Sequence, residues 1–77
     1  MRKPFGRRND TPKLSASEAD RQGRAVRTAI RLLGSTAALE FLNGFDAALQ
    51  GRPIDLAVAS DHGLAAVEAL LATRAPA

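Results

Sequence analysis

Residues 15–34 read SASEADRQGRAVRTAIRLLG, and the spacing of this stretch decides the fold class. Ser15 and Glu18 stand three apart, the separation at which each side chain caps a free backbone amide of the other at a helix start. Beyond them Ala19, Val26, Ile30 and Leu33 recur at helical spacing and predict one apolar face. Arg24, Arg27 and Arg31 gather on the other side, and Gly34 supplies the stop. The stretch is an amphipathic helix. Gly23 interrupts it at the edge of the apolar face, at a cost of about 1 kcal/mol relative to alanine, which close approach of another helix would explain.

C-terminal to this helix the pattern stays helical, in shorter pieces. Ser35 is expected to cap a second, short helix through Asn43, with Ala38, Phe41 and Leu42 inside and Asn43-Gly44 as its end. Residues 45–51 form a connection whose Phe45 and Leu49 are expected to point inward. Pro53 suits the first turn of a third helix over 53–59, because its missing amide donor would be unpaired there in any case. Asp55 then lies near the positive end of that helix. Ser60 caps a last helix expected from Asp61 to Thr73. Leu64, Val67, Leu70 and Leu71 occupy one side of it, and Ala65, Ala66, Ala69 and Ala72 much of the other. A helix apolar nearly all round is usually covered on more than one side. These alanines are therefore the candidate partner-binding surface.

N-terminal to Ser15 the period vanishes. Residues 1–14, MRKPFGRRNDTPKL, combine two prolines with five basic residues and one acid, a composition expected to give a disordered arm. Arg2, Lys3, Arg7 and Arg8 of this arm, with Arg24, Arg27 and Arg31 of the helix, are candidate contacts for phosphates or for an acidic partner. Domain organisation is then a basic arm over 1–14 and a helical domain over 15–75. The fold class expected is all-α, a compact bundle of about four short helices.

Composition narrows the functions. Of 77 residues 16 are alanine, leaving 19 larger apolar side chains, three of them before Ser15. So small a core is marginal and favours packing on a second copy or a partner. The chain has no Cys and one His, which excludes disulfides and any Cys-containing metal site. His62 has no sequence partner for catalysis, no paired carboxylates or phosphate loop appear, and no cofactor is expected. A non-enzymatic protein is the expectation. Without an apolar run of membrane-spanning length or a signal-peptide pattern, a cytoplasmic location is expected. The net charge of +3 divides into +6 over residues 1–31 and −3 over 32–77. The later helices lack polar side chains for reading base edges, so nucleic-acid contact is expected only non-specifically, through residues 1–13 and the arginine face.

Three segments carry a resemblance: GSTAALEFLN at 34–43, ALQGRPIDLA at 48–57 and SDHGLAAVEALL at 60–71. Their order resembles the toxin-binding domain of Xre/MbcA/ParS-type bacterial antitoxins. Phe41-Leu42 match that family's aromatic-Leu pair; Leu49, Gly51, Pro53, Asp55 and Leu56 match its loop and short helix; Gly63, Val67 and Leu70 match its last helix. With the first helix included, the likeness spans roughly residues 20–73. It implies an antitoxin that sterically inhibits a RES-type, NAD-consuming toxin and that forms a homodimer or hetero-oligomer. Pro53, Asp55, Ala65, Ala66, Ala69, Ala72 and Arg74 would then form the partner-binding set. Residues 1–14 are too short for the helix-turn-helix that many members carry, Phe41 stands where Trp is frequent, and TRAPA at 73–77 replaces the usual Gly-containing end.

Overall fold

The computed structural model describes residues 14–75, so residues 1–13 of the arm, with all its cations and the disorder expected of it, lie outside the described residues. Four helices follow in order: α1 (Ala16–Leu33), α2 (Ser35–Asn43), α3 (Pro53–Ala59) and α4 (Asp61–Arg74). No strand occurs among the described residues; an isolated antiparallel bridge joins Asp46 and Gly51. The all-α expectation holds, with α4 one residue longer than expected.

The capping box forms as the spacing required. The Ser15 amide donates to Glu18 Oε1 at 2.8 Å and the Glu18 amide to Ser15 Oγ at 3.1 Å. Two single residues then turn the chain. Gly34, at φ 85°, donates its amide to Ile30 at the end of α1 and accepts from the Ala38 amide at the start of α2. That positive φ is open to glycine at little cost, so a one-residue connection reverses the chain here. Gly34, and not Ser35, is the N-cap of α2, and no side chain caps it. Ser60 does the same between α3 and α4, its Oγ accepting from the Gly63 amide at 2.9 Å.

α1 packs against all three other helices, and α3 and α4 pack closely on each other. The core is Ala25, Ala29, Ala38, Leu42, Ala57, Leu64, Val67 and Leu71, with Val26, Leu32, Leu33, Phe41, Leu49, Ile54 and Leu56 partly buried around it. Small side chains hold the centre because three helices crowd onto α1. This corrects the expected face of α1. Ala25 and Ala29 are fully buried, while Ala19 and Ile30 are exposed and Val26 and Leu33 only half-buried. The large residues of α1 flank the contact; its alanines make it.

Gly23 does not mark a helix crossing: a Cβ there would meet only the Arg27 side chain of its own helix. Gly63 does mark one. A Cβ on it would overlap the Leu56 carbonyl oxygen, so the first turn of α4 lies directly on the backbone of α3.

Candidate functional site

Sequence reasoning nominated Arg24, Arg27 and Arg31 of α1 as a cationic face, and the fold pairs four of the six arginines among the described residues internally. Arg21, only 14% exposed, donates from Nε and Nη2 to the Val58 carbonyl at 2.9 and 2.8 Å, and from Nη1 to Asp61 at 3.2 Å. It closes the C-terminal end of α3, where free carbonyls attract a cation. Arg24 donates to Glu68 at 3.0 Å, and Thr28 adds a bond to the same carboxylate at 3.3 Å, fastening α1 to α4. Arg52 pairs with Asp55 at 3.0 Å and Arg74 with Asp46 at 2.8 Å. Arg27 and Arg31 remain exposed, with no ion pair among the described residues. Between residues 14 and 75 stand six arginines and seven carboxylates, so the helical body is not basic.

Asp46 was not singled out in the sequence, and it organises the loop between α2 and α3. Its carboxylate is nearly buried and accepts from the Ala48 amide at 2.9 Å, the Leu49 amide at 3.4 Å and Arg74 Nη2. Its backbone exchanges hydrogen bonds with Gly51, and Gln50 takes a positive φ of 58° to close the turn. Burial pushes the Asp46 carboxyl up, but the Arg74 guanidinium and the two amides more than offset this and hold it below its ordinary value. The Arg74 guanidinium also sits 5.5 Å over the Phe41 ring, a cation–π distance. An Asp two residues before an alanine amide in DAAL is an Asx-turn pattern, and that local signal was available. No local signal pointed to Arg21, whose acceptors lie 37 and 40 residues away.

Phe45 corrects a further expectation. It is 74% exposed, not inward, because Asp46 takes the interior place and Leu49 supplies the apolar packing.

The nominated partner-binding residues divide cleanly. Ala65, Ala69 and Ala72 are exposed on α4 at positions i, i+4 and i+7, forming one row, with Ala66 half-buried beside it. Leu64, Val67 and Leu71 fill the opposite, buried side. Asp55 is exposed and held by Arg52, and Arg74 is half-exposed beyond the end of the alanine row. Pro53 is fully buried and is not offered to a partner: its ring packs into the core, where it starts α3.

Two depressions stand out among the described residues. A shallow one of about 200 Å³ lies between α1 and α4, lined by Ser17, Asp20, Arg21, Arg24, Asp61 and Leu64. Both of its arginines are already bonded to protein acceptors. A larger groove of about 510 Å³ runs between α1 and α3, with Leu14, Ile54, Val58 and Ala59 as its apolar lining. Neither brings a nucleophile and a base together. His62 is exposed on the first turn of α4, and no group of three or more metal-ligating side chains is found among the described residues.

No protein-family model, curated protein or solved structure matches this chain. What the surface can do therefore rests on its own geometry. That geometry is a rigid helix with an apolar, small-residue outer face, and no described helix is long and apolar enough to cross a membrane.

Proposed function

We propose that this chain is a non-enzymatic protein-interaction module of the antitoxin type, binding a RES-type, NAD-consuming toxin and inhibiting it by covering its site. The observation that carries the reading is the outward row of Ala65, Ala69 and Ala72 on α4. α4 is tied into the fold at both ends, by Gly63 against Leu56 and by Arg74 against Asp46, so its free face is presented without slack. Small side chains let a partner backbone approach closely and lose little conformational entropy on binding. The resemblance of residues 34–71 to antitoxin toxin-binding domains supports this class of partner. On this reading the protein is bacterial and cytoplasmic, Arg74 borders the contact, and Asp55 lies on the neighbouring helix.

Co-expression with a RES-type toxin tests the proposal through cellular NAD. Toxin alone is expected to deplete NAD, and toxin with this chain to leave it intact, with the two proteins copurifying. NAD depletion that proceeds unchanged beside a folded, abundant partner chain rejects the assignment.

A second reading, a small nucleic-acid-associated protein, is favoured by Arg27 and Arg31 alone among the described residues. The pairing of Arg24 with Glu68 removes one member of the expected phosphate-tracking row. Such binding would be sequence-independent, would fall steeply with salt, and would be lost on deleting residues 1–13.

A further inference from the structure

Asn43 is the last residue of α2 and Gly44 its C-cap, and both are exposed. An asparagine carries an electrophilic carboxamide carbon within reach of the next residue's backbone nitrogen, and a following glycine puts no Cβ in the way. Two hydrogen bonds hold this pair out of reaction. The Gly44 amide donates to the Glu40 carbonyl at 3.1 Å, so the nitrogen that would attack faces back into the helix. Asn43 Nδ2 donates to the Leu39 carbonyl at 3.0 Å, which turns the carboxamide toward the preceding turn and away from Gly44. Both restraints belong to one helix end, and helix ends are where local opening costs least. No basic residue stands in the last turn of α2 to steady its carbonyls.

We propose that Asn43–Gly44 is a self-modification site gated by the last turn of α2: when that turn opens, Gly44 attacks Asn43 and the side-chain amide becomes an acid. The Gly44 nitrogen loses its proton and bonds to Asn43 Cγ, while Nδ2 departs as ammonia, leaving a succinimide ring between the two residues. Water then opens the ring at either carbonyl, giving aspartate or isoaspartate. Water is the only co-reactant.

The product weakens the gate that delayed it. A carboxylate at position 43 has no proton to donate to the Leu39 carbonyl, and it sets a negative charge at the unfavourable end of the helix dipole. It also joins the lining of the groove between α1 and α3, where Glu18 and Asp55 already outnumber Arg52. Isoaspartate goes further, because it routes the backbone through Cβ and so shifts the Gly44 amide off the Glu40 carbonyl. Each conversion therefore makes the helix end easier to open, and the change runs one way. The site is separate from the outer face of α4 and stands or falls independently of the toxin.

Incubation of the full chain at neutral pH, folded and in concentrated urea, tests the proposal. Arg52 precedes Pro53 and resists trypsin, so the peptide to follow by mass spectrometry is 32–74, in which Asn43 is the one asparagine. In urea, the mass gain of amide-to-acid conversion is expected, with separate aspartate and isoaspartate peaks. The folded chain is expected to convert at least ~10-fold more slowly, the protection given by an opening equilibrium. Glu40→Gly changes an exposed position within the gating turn. It is expected to speed the folded-state reaction roughly 3–5-fold and to leave the rate in urea unchanged. Asn43→Asp installs one product directly and is expected to lower the melting temperature by a few degrees. Equal rates folded and in urea, no conversion in urea, a folded rate indifferent to Glu40→Gly, or an Asn43→Asp variant as stable as the native chain overturns the proposal.

Discussion

Arg74 Nη2 donates to Asp46 Oδ2 at 2.8 Å, joining the last turn of α4 to the loop that follows α2. The two residues are 28 positions apart, and between them they fix both a helix end and a turn. Removing the carboxylate leaves the Ala48 and Leu49 amides without their acceptor and Arg74 without its partner. Removing Arg74 leaves a carboxylate that the amides still solvate, and a site that water reaches. Asp46→Ala is therefore expected to lower the melting temperature more than Arg74→Ala does. Thermal unfolding of both variants and of the double variant checks this, and the double variant should lose less than the two single losses combined.

Acid should unfold the protein along a predictable limb. Glu18 is held below its ordinary value by the Ser15 amide and hydroxyl, and Asp55 by Arg52, while at Asp46 the hydrogen bonds outweigh burial. A carboxyl with a depressed pKa in the folded state binds fewer protons folded than unfolded, so its contribution is complete above the ordinary carboxylate range. It disappears as pH falls through the folded values. Stability is expected to be flat near neutrality and to fall below about pH 4, and in Asp46→Asn the acid limb should be shallower. Urea titrations across that range read both slopes.

Glycine substitutions should split in sign. At Gly63 an added methyl group overlaps the Leu56 carbonyl oxygen, which is backbone and cannot yield without parting α3 from α4. Gly63→Ala is expected to cost roughly 1–3 kcal/mol. At Gly23 the only obstacle is the flexible end of Arg27, 3.0 Å from the new atom, so Gly23→Ala should stabilise α1 by about 0.5–1 kcal/mol. Denaturant midpoints of the two variants, moving in opposite directions, check the pair.

The contrast between those glycines also shows what the sequence reveals and what it withholds. Helix starts and stops were legible because they are local: Ser15 with Glu18, Pro53 at the start of α3, and Ser60 with Gly63 all act within a turn of chain. The buried face of α1 was not legible, because the decision between Ile30 and Ala29 depends on how many helices converge there. Hydrophobicity ranks isoleucine higher; close packing selects alanine. The alanine row of α4 could be placed from spacing alone, whereas the burial of Pro53 and the exposure of Phe45 follow from tertiary contacts and a side-chain clamp. Arg21 had no signal within reach in the sequence.

Arg21 should prove a stability residue, and not a phosphate contact. It spends three donors on Val58 and Asp61 and is mostly buried at the junction of α3 and α4. Arg21→Ala exposes the Val58 carbonyl to an unfilled space and is expected to cost about 1.5–3 kcal/mol, the range for hydrogen bonds from charged donors. Arg21→Lys keeps the charge but loses the fork that lets two nitrogens share one carbonyl, so an intermediate loss is expected. Chemical denaturation of the two variants gives the order.

The outer face of α4 gives the sharpest separation between folding and binding. Leu64 and Ala65 are adjacent in sequence and point about 100° apart around α4, the first 7% exposed against the core and the second open. Leu64→Asp buries a charge without a partner and is expected to unfold the domain. Ala65→Arg and Ala69→Arg place long, charged chains on a surface that touches nothing, and stability should change by no more than about 0.5 kcal/mol. If the alanine row is where a toxin seats, the same two substitutions force a bulky cation into a contact built for close approach. Inhibition is then expected to be lost while the melting curve is kept. Calorimetric affinity for the toxin, measured beside thermal unfolding, reads both effects. Unchanged affinity in both folded arginine variants places the toxin contact elsewhere on the chain.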